Sequence, residues 1–139
     1  EKQVDAYIQQ YFSFIQPEFV PVVLDAQGKM VGFGITMPSL SRALQKAKGE
    51  LFPFGWFHLL RAFQKNDRAD LYLVAVKAEY QGKGVNAILM HAISEVFIRK
   101  GIRKIESNPE LETNANVQSQ WKFYESRQHK RRRCFIKKL

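Results

Sequence analysis

The tightest constraint on this chain is a junction near its middle. Leu71, Tyr72, Leu73, Val74, Ala75 and Val76 form an unbroken apolar run. A run of that length and composition reads as a central strand buried on both faces. Further on, Val85, Ile88, Leu89, Ala92, Ile93, Val96 and Phe97 recur at i, i+3, i+4 spacing, which predicts an amphipathic helix. Gly101 stands where such a helix ends. Between strand and helix lies Glu79-Tyr80-Gln81-Gly82-Lys83-Gly84. Two glycines let the backbone turn tightly and come close to a ligand. A helix opening on such a loop presents unpaired N–H groups and the positive end of its dipole. That is an anion site suited to phosphate, and Lys83 adds a full charge beside it.

The rest of the chain builds around this junction. Val4, Tyr7, Ile8, Tyr11, Phe12 and Ile15 predict a helix over 3–15, ended by Pro17. Residues 19–25 and 30–37 read as two strands of a hairpin turning at 26–29. Gly32 and Gly34 leave one face of the second strand thin, open to another backbone or a ligand. A short helix is expected from Pro38-Ser39 to 47, and another over 56–65. Between them Leu51, Phe52 and Phe54 are interleaved with Gly49, Pro53 and Gly55. This apolar loop either packs under another element or lines a pocket, and core packing is the expectation because aromatics usually mean core. After the main helix come a strand over 102–107, a helix capped by Thr113 or Asn114 and running to 125, and a last basic strand over 129–138. The order predicts an α/β or α+β fold.

Length and composition fit one domain: 139 residues, 45% hydrophobic and 25% charged, which excludes wholesale disorder. No apolar run is long enough to span a membrane. Charge is segregated. Of 22 Lys and Arg, seven fall within 127–139, where there is no acid, leaving 15 basic against 13 acidic residues elsewhere. Such an end binds polyanions or is a solvated face. Cys134 is the single cysteine, so no internal disulfide forms; it is expected as a small buried hydrophobe in a cytoplasmic protein. His58, His91 and His129 lack metal-ligand spacing, so no metal is expected, and His91 lies off the apolar helix face.

Several phosphate-binding loops compete for the junction. A Walker loop needs Gly-x-x-x-x-Gly-Lys-Ser/Thr, which is absent. A dinucleotide fingerprint keeps Gly82 and Gly84 and has Ala87 third, but it belongs at the start of a longer βαβ array. The stretch 74–85 resembles motif A of the GNAT superfamily of acyl-CoA N-acyltransferases, Gln/Arg-x-x-Gly-x-Gly/Ala after an apolar strand. Asn86 departs from the Gly or Ala usual at the motif's last position. The Val31-Gly32-Phe33-Gly34 hairpin and Phe123-Tyr124-Glu125 extend the resemblance, so that it spans roughly 4–138.

The resemblance implies a mixed, mostly antiparallel central sheet flanked by helices, with the 38–66 helices as an insertion. It implies that residues 1–139 form a single GNAT-like domain lacking the family's first strand and helix, as the C-terminal part of a longer protein. Acetyl-CoA, or another acyl-CoA, is the implied cosubstrate. Its pyrophosphate falls to the backbone of Gln81, Gly82, Lys83, Gly84, Val85, Asn86 and Ala87, and its pantetheine arm to Val74, Ala75 and Val76. Tyr124 matches the tyrosine that protonates the departing thiolate in many such enzymes. Among Glu106, Glu110 and Glu112, the last is the candidate general base, and Glu110 is expected to be a solvated acid. The implied acceptor is a small-molecule or peptide amine, with no membrane partner and self-association left open. The competing reading is a non-catalytic module that binds CoA, or nucleic acid through the basic end.

Overall fold

A computed structural model describes residues 15–137. The helix expected over 3–15 lies outside the described residues but for Ile15. The chain divides into two compact units, Glu1–Glu106 and Ser107–Leu139.

In the first unit a 3-10 turn at Pro17–Phe19 leads into strands β1 (Val22–Leu24) and β2 (Met30–Pro38). Two short helices follow, α1 (Ser41–Lys46) and α2 (Gly55–Gln64), then strand β3 (Arg68–Val76). A 3-10 turn at Ala78–Tyr80 and the glycine loop connect β3 to helix α3 (Val85–Lys100), and β4 (Lys104–Ser107) closes the order. The sheet runs β1-β2-β3-β4, with β1 antiparallel to β2 and β2 antiparallel to β3. This is the mixed, mostly antiparallel sheet with flanking helices expected from the sequence.

Helix α3 covers one face of the sheet, and small residues make room for it. A side chain at Gly32 would stand 2.9 Å from Val85 Cγ1, and one at Gly34 would stand 3.0 Å from Ile93 Cδ1. The thin face of β2 therefore receives helix side chains rather than a ligand. A register shift puts Val23 opposite Gly32 and Leu24 opposite Met30, so Val31 is an extra residue. The bulge lets Val31 join Val85 and Leu89 in the core. Buried Thr36 is satisfied by donating to the Phe19 carbonyl at 2.8 Å, and Phe19 packs on Phe97 with ring centroids 6.2 Å apart. Gly101 caps α3 at φ 71°, with its N–H on the Ile98 carbonyl.

Two expectations for this unit fail. A second shift pairs Ile35 with Leu73 and Thr36 with Leu71, leaving Tyr72 unmatched. The bulge breaks the in–out alternation of β3 and α3 covers one face only, so Tyr72 and Leu73 are exposed rather than buried on both faces. The apolar loop before α2 is not core either. Asn66 ties the base of the insertion, donating to the Ser39 carbonyl at 2.7 Å and accepting from the Arg68 N–H at 3.1 Å. Gly55 is buried against the Glu50 carbonyl, and that tight fold of the backbone turns Leu51, Phe52 and Phe54 outward.

In the second unit the Asn114 side chain accepts from the Val117 N–H at 3.3 Å and caps helix α4 (Ala115–Ser119), which passes into a 3-10 turn at Gln120–Phe123. The helix is thus shorter than the expected run to 125. No strand forms over the described part of 129–138. Lys130, Arg131, Arg132 and Arg133 put like charges side by side with no apolar alternation to bury. Cys134 lies in this segment and is exposed, contrary to the buried hydrophobe expected.

Candidate functional site

The site grows from the end of β3. Val74, Ala75 and Val76 are half-buried and pair with Gly34, Phe33 and Gly32 of β2. On the opposite side β4 has only four residues. It starts level with the head of β3, where the Arg103 and Lys104 N–H groups donate to the Asp67 carbonyl at 2.8 and 3.1 Å. At equal rise per residue the last residues of β3 extend past the end of β4. The Gln81 side chain then donates to the Val76 carbonyl at 3.2 Å, tying the loop back onto the strand.

Gly82 and Gly84 have φ of 73° and 84°. That left-handed conformation costs any residue with a Cβ about 1–2 kcal/mol. A Cβ at either position would meet no atom within 4 Å, so backbone geometry and not crowding requires glycine, and the space above the loop is open. Gly84 is the N-cap of α3. A serine or aspartate there would satisfy first-turn N–H groups with its own oxygen. Glycine leaves them for something else, and the first turn holds no acidic residue to compete for them. Lys83, Asn86 and Ala87 are exposed around this corner, and Val85 turns inward to the core.

A clamp unforeseen from the sequence supports the loop. The Tyr80 hydroxyl donates to Asp25 Oδ2 at 3.3 Å, reaching the β1–β2 turn. Asp25 Oδ1 also accepts from the N–H groups of Lys29 at 2.8 Å and Gln27 at 3.0 Å. These bonds, the Lys29 N–H foremost, hold the Asp25 carboxyl below the ordinary aspartate range. Desolvation, and then the Asp25 charge, push the Tyr80 phenol up. Lys83 Nζ sits 5.5 Å from the centre of the Tyr80 ring. The Asp-x-Gln-Gly-Lys turn was visible in the sequence; its partner 55 residues away was not.

The second unit holds Tyr124 and Glu112. Tyr124 follows the 3-10 turn, its N–H on the Trp121 carbonyl at 3.1 Å and its ring centre 6.1 Å from that of Trp121. Glu112 Oε1 pairs with Arg131 Nε at 2.9 Å, both side chains exposed. Glu110 is half-buried rather than a freely solvated acid, because both its oxygens accept from the Trp121 indole at 3.0 Å.

A strand, a glycine-capped helix N-terminus and a short flanking strand in this order define a class, and comparison with known proteins agrees. The model of the acetyltransferase (GNAT) family matches residues 1–129. The chain belongs to that family. It is 26% identical over 132 residues to protein YghO of Escherichia coli, covering 91% of this chain and 34% of that protein. It thus spans about a third of the length of that curated relative. Among solved structures it resembles aminoglycoside acetyltransferase AAC(6')-Iy in complex with a bisubstrate analogue of CoA. The TM-score is 0.56 at 16% identity, over 97% of this chain and 80% of that one. It also resembles meta-AAC0020, an aminoglycoside acetyltransferase from an uncultured soil metagenomic sample, solved with sisomicin. There the TM-score is 0.53 at 16% identity, over 86% of this chain and 64% of that one. At such identity the likeness speaks for the fold.

Proposed function

We propose that the chain is the acyl-CoA-binding part of an N-acyltransferase that moves an acyl group, acetyl in the simplest case, from CoA to an amine. The observation that carries this reading is the glycine-capped N-terminus of α3. It has left-handed Gly82 and Gly84, open space above both and no acid in the first turn. The CoA pyrophosphate would take N–H groups from Gln81 to Ala87, with Lys83 adding charge. The pantetheine arm would lie along the backbone of Val74, Ala75 and Val76, and an N–H there can also polarise the thioester carbonyl.

In this reading the amine attacks that carbonyl, the tetrahedral adduct collapses, and the C–S bond breaks. Tyr124 gives its phenolic proton to the departing thiolate. Glu112 takes the proton that the amine sheds, through Oε2, since Oε1 is engaged by Arg131. The acceptor is an amine, as it is for the two aminoglycoside acetyltransferases of this fold.

The test is the melting temperature with acetyl-CoA, CoA and a neutral pantetheine control, for the natural chain and for Gly84→Glu. Ligand at about 100 times its Kd adds roughly 2.7 kcal/mol. We expect a clear upward shift with both CoA ligands and none for Gly84→Glu, whose carboxylate would occupy the anion's place. No shift in the natural chain would remove the enzyme reading and leave the basic end, exposed over 127–137, as a nucleic-acid contact. That contact would weaken steeply between low and moderate salt.

A further inference from the structure

We infer that the insertion between β2 and β3 is a membrane-surface contact whose partner is an anionic lipid bilayer. The surface is the loop before α2 with the first turns of that helix. Leu51, Phe52, Phe54, Trp56, Phe57 and Leu60 are all exposed there, Phe52 at 84% and Phe54 at 73%. A soluble surface seldom carries that many large apolar side chains in ten residues.

The exposure is built into the fold. The Trp56 N–H donates to the Leu51 carbonyl at 3.0 Å, the Phe57 N–H to the Phe54 carbonyl at 3.1 Å, and the Trp56 indole to the Pro53 carbonyl at 2.8 Å. Gly55 is pressed against the Glu50 carbonyl, where no larger residue fits. The aromatic rings are thus held on a folded loop, with Trp56 and Phe57 edge-on at 6.2 Å.

Charge identifies the occupant. Lys46 and Lys48 precede the apolar cluster, and Arg61 and Lys65 follow it, all exposed. Across 41–67 there are five basic residues and two acids, Glu50 and Asp67, and Arg42 is paired with Asp67 at 3.1 Å, which leaves these four cations against Glu50. Exposed cations on both sequence flanks of exposed Trp, Phe and Leu match an anionic headgroup layer over acyl chains. A second copy of the same segment would bring like charges together, which disfavours self-pairing. Among the described residues no helix is long and apolar enough to cross a membrane, so the insertion lies on the bilayer. This departs from the expectation of no membrane partner, which weighs only an apolar run long enough to span a bilayer. It stands apart from the acyltransferase reading and does not need it.

The test is co-sedimentation with vesicles of phosphatidylcholine alone and of equal parts phosphatidylcholine and phosphatidylglycerol. It uses the natural chain, the Phe52→Ser/Phe54→Ser variant and the Lys46→Glu/Lys48→Glu variant. In a Trp121→Phe background Trp56 is the sole tryptophan, and its emission reports insertion. The natural chain is expected to pellet with anionic vesicles, with a blue-shifted Trp56, and far less with neutral ones. Losing two inserted rings should lower partitioning by roughly a hundredfold. The lysine pair should lower it by about thirtyfold or more at low salt, because glutamate reverses both charges. These side chains are exposed, so circular dichroism should be unchanged and a fold defect is distinguishable. Three results would overturn the proposal. One is no pelleting with anionic vesicles. Another is undiminished binding by the phenylalanine variant, which would assign any binding to the basic end alone. The last is a lipid-free dimer that Phe52→Ser/Phe54→Ser dissociates, which would assign the surface to a second copy.

Discussion

Gly32→Ala tests how the sheet sets the position of the glycine loop. The new Cβ would stand 2.9 Å from Val85 Cγ1, 3.2 Å from the Ala75 carbonyl oxygen and 3.3 Å from Leu89 Cδ1. Carbon–carbon contacts are comfortable at about 3.5–4.0 Å, so the closest is short by roughly 0.6–1.1 Å. Val85 cannot swing away, because a branched side chain in the first turn of a helix has little rotamer freedom. Overpacking of this kind costs about 1–3 kcal/mol, and replacing a strand glycine by alanine recovers about 0.5–1 kcal/mol. The net loss expected is about 1–2 kcal/mol. Val85→Ala alone costs about 1–3 kcal/mol through the space it leaves, yet it removes the atom that Gly32→Ala strikes. The double variant should therefore be more stable than the sum of the singles by about 1 kcal/mol. Urea unfolding of all four proteins, followed by circular dichroism, measures this. Additivity within about 0.5 kcal/mol would refute the packing argument. Because Val85 opens α3 directly behind Gly84, Gly32→Ala should also shrink the thermal shift given by CoA, and the added Val85→Ala should restore part of it.

Gly84→Ala isolates backbone strain: with φ at 84° and no neighbour within 4 Å, it should cost about 1 kcal/mol, and in urea unfolding Val85→Ala should not rescue it. Gly55→Ala drives a Cβ into the backbone carbonyl of Glu50, a harsher clash than that at Gly32, and should lower stability by about 3 kcal/mol or more, read by the same urea unfolding. Tyr124→Phe should slow acyl transfer by roughly a hundredfold while leaving the CoA thermal shift unchanged; an unchanged rate would remove Tyr124 from the chemistry. Asp25 has its folded value below the ordinary one, so it stabilises the fold above that ordinary value and the contribution fades as pH falls through the folded one. Asp25→Asn should therefore flatten the melting temperature against pH below about pH 4, and an unaltered acid limb would contradict the clamp.

The central junction was legible because its signals are local. Six apolar residues, a glycine pair and a seven-member helical stripe each report on a stretch shorter than one element, and β3, the loop and α3 formed where those stretches lie. Burial was less legible, because it depends on what lies opposite. Ile88 belongs to the apolar stripe of α3 yet is exposed, whereas Met90, outside that stripe, is buried. Tyr72 and Leu73 belong to the apolar run but fall at a bulge set by strand register, which no single segment contains. The loop of Phe52 and Phe54 shows the same limit. Its composition says core, and only the fold of Gly55 under Glu50 shows that the rings point outward. The candidate site divides in the same way. Gln81 to Ala87 could be read from a motif, but Asp25 bonds Tyr80 across 55 positions, and the tie between Glu110 and Trp121 spans 11.

One residue type performs two opposite tasks at the same corner. Gly32 and Gly34 are small so that α3 can lie close; their missing side chains are replaced by Val85, Leu89 and Ile93. Gly82 and Gly84 are free of side chains so that nothing of the protein fills the space; a Cβ there meets no atom within 4 Å. The first pair sets where the helix N-terminus stands, and the second keeps it uncovered. An anion site needs both, since a dipole end that is displaced or capped by its own side chain offers little to a phosphate. Sequence spacing cannot separate the two tasks, because both pairs are written Gly-x-Gly. The substitutions can. Alanine at 32 should be relieved by trimming Val85, whereas alanine at 84 should be indifferent to it. If both positions responded alike to Val85→Ala, the division of labour would be wrong, and with it the account of how β2 and α3 together hold the loop open.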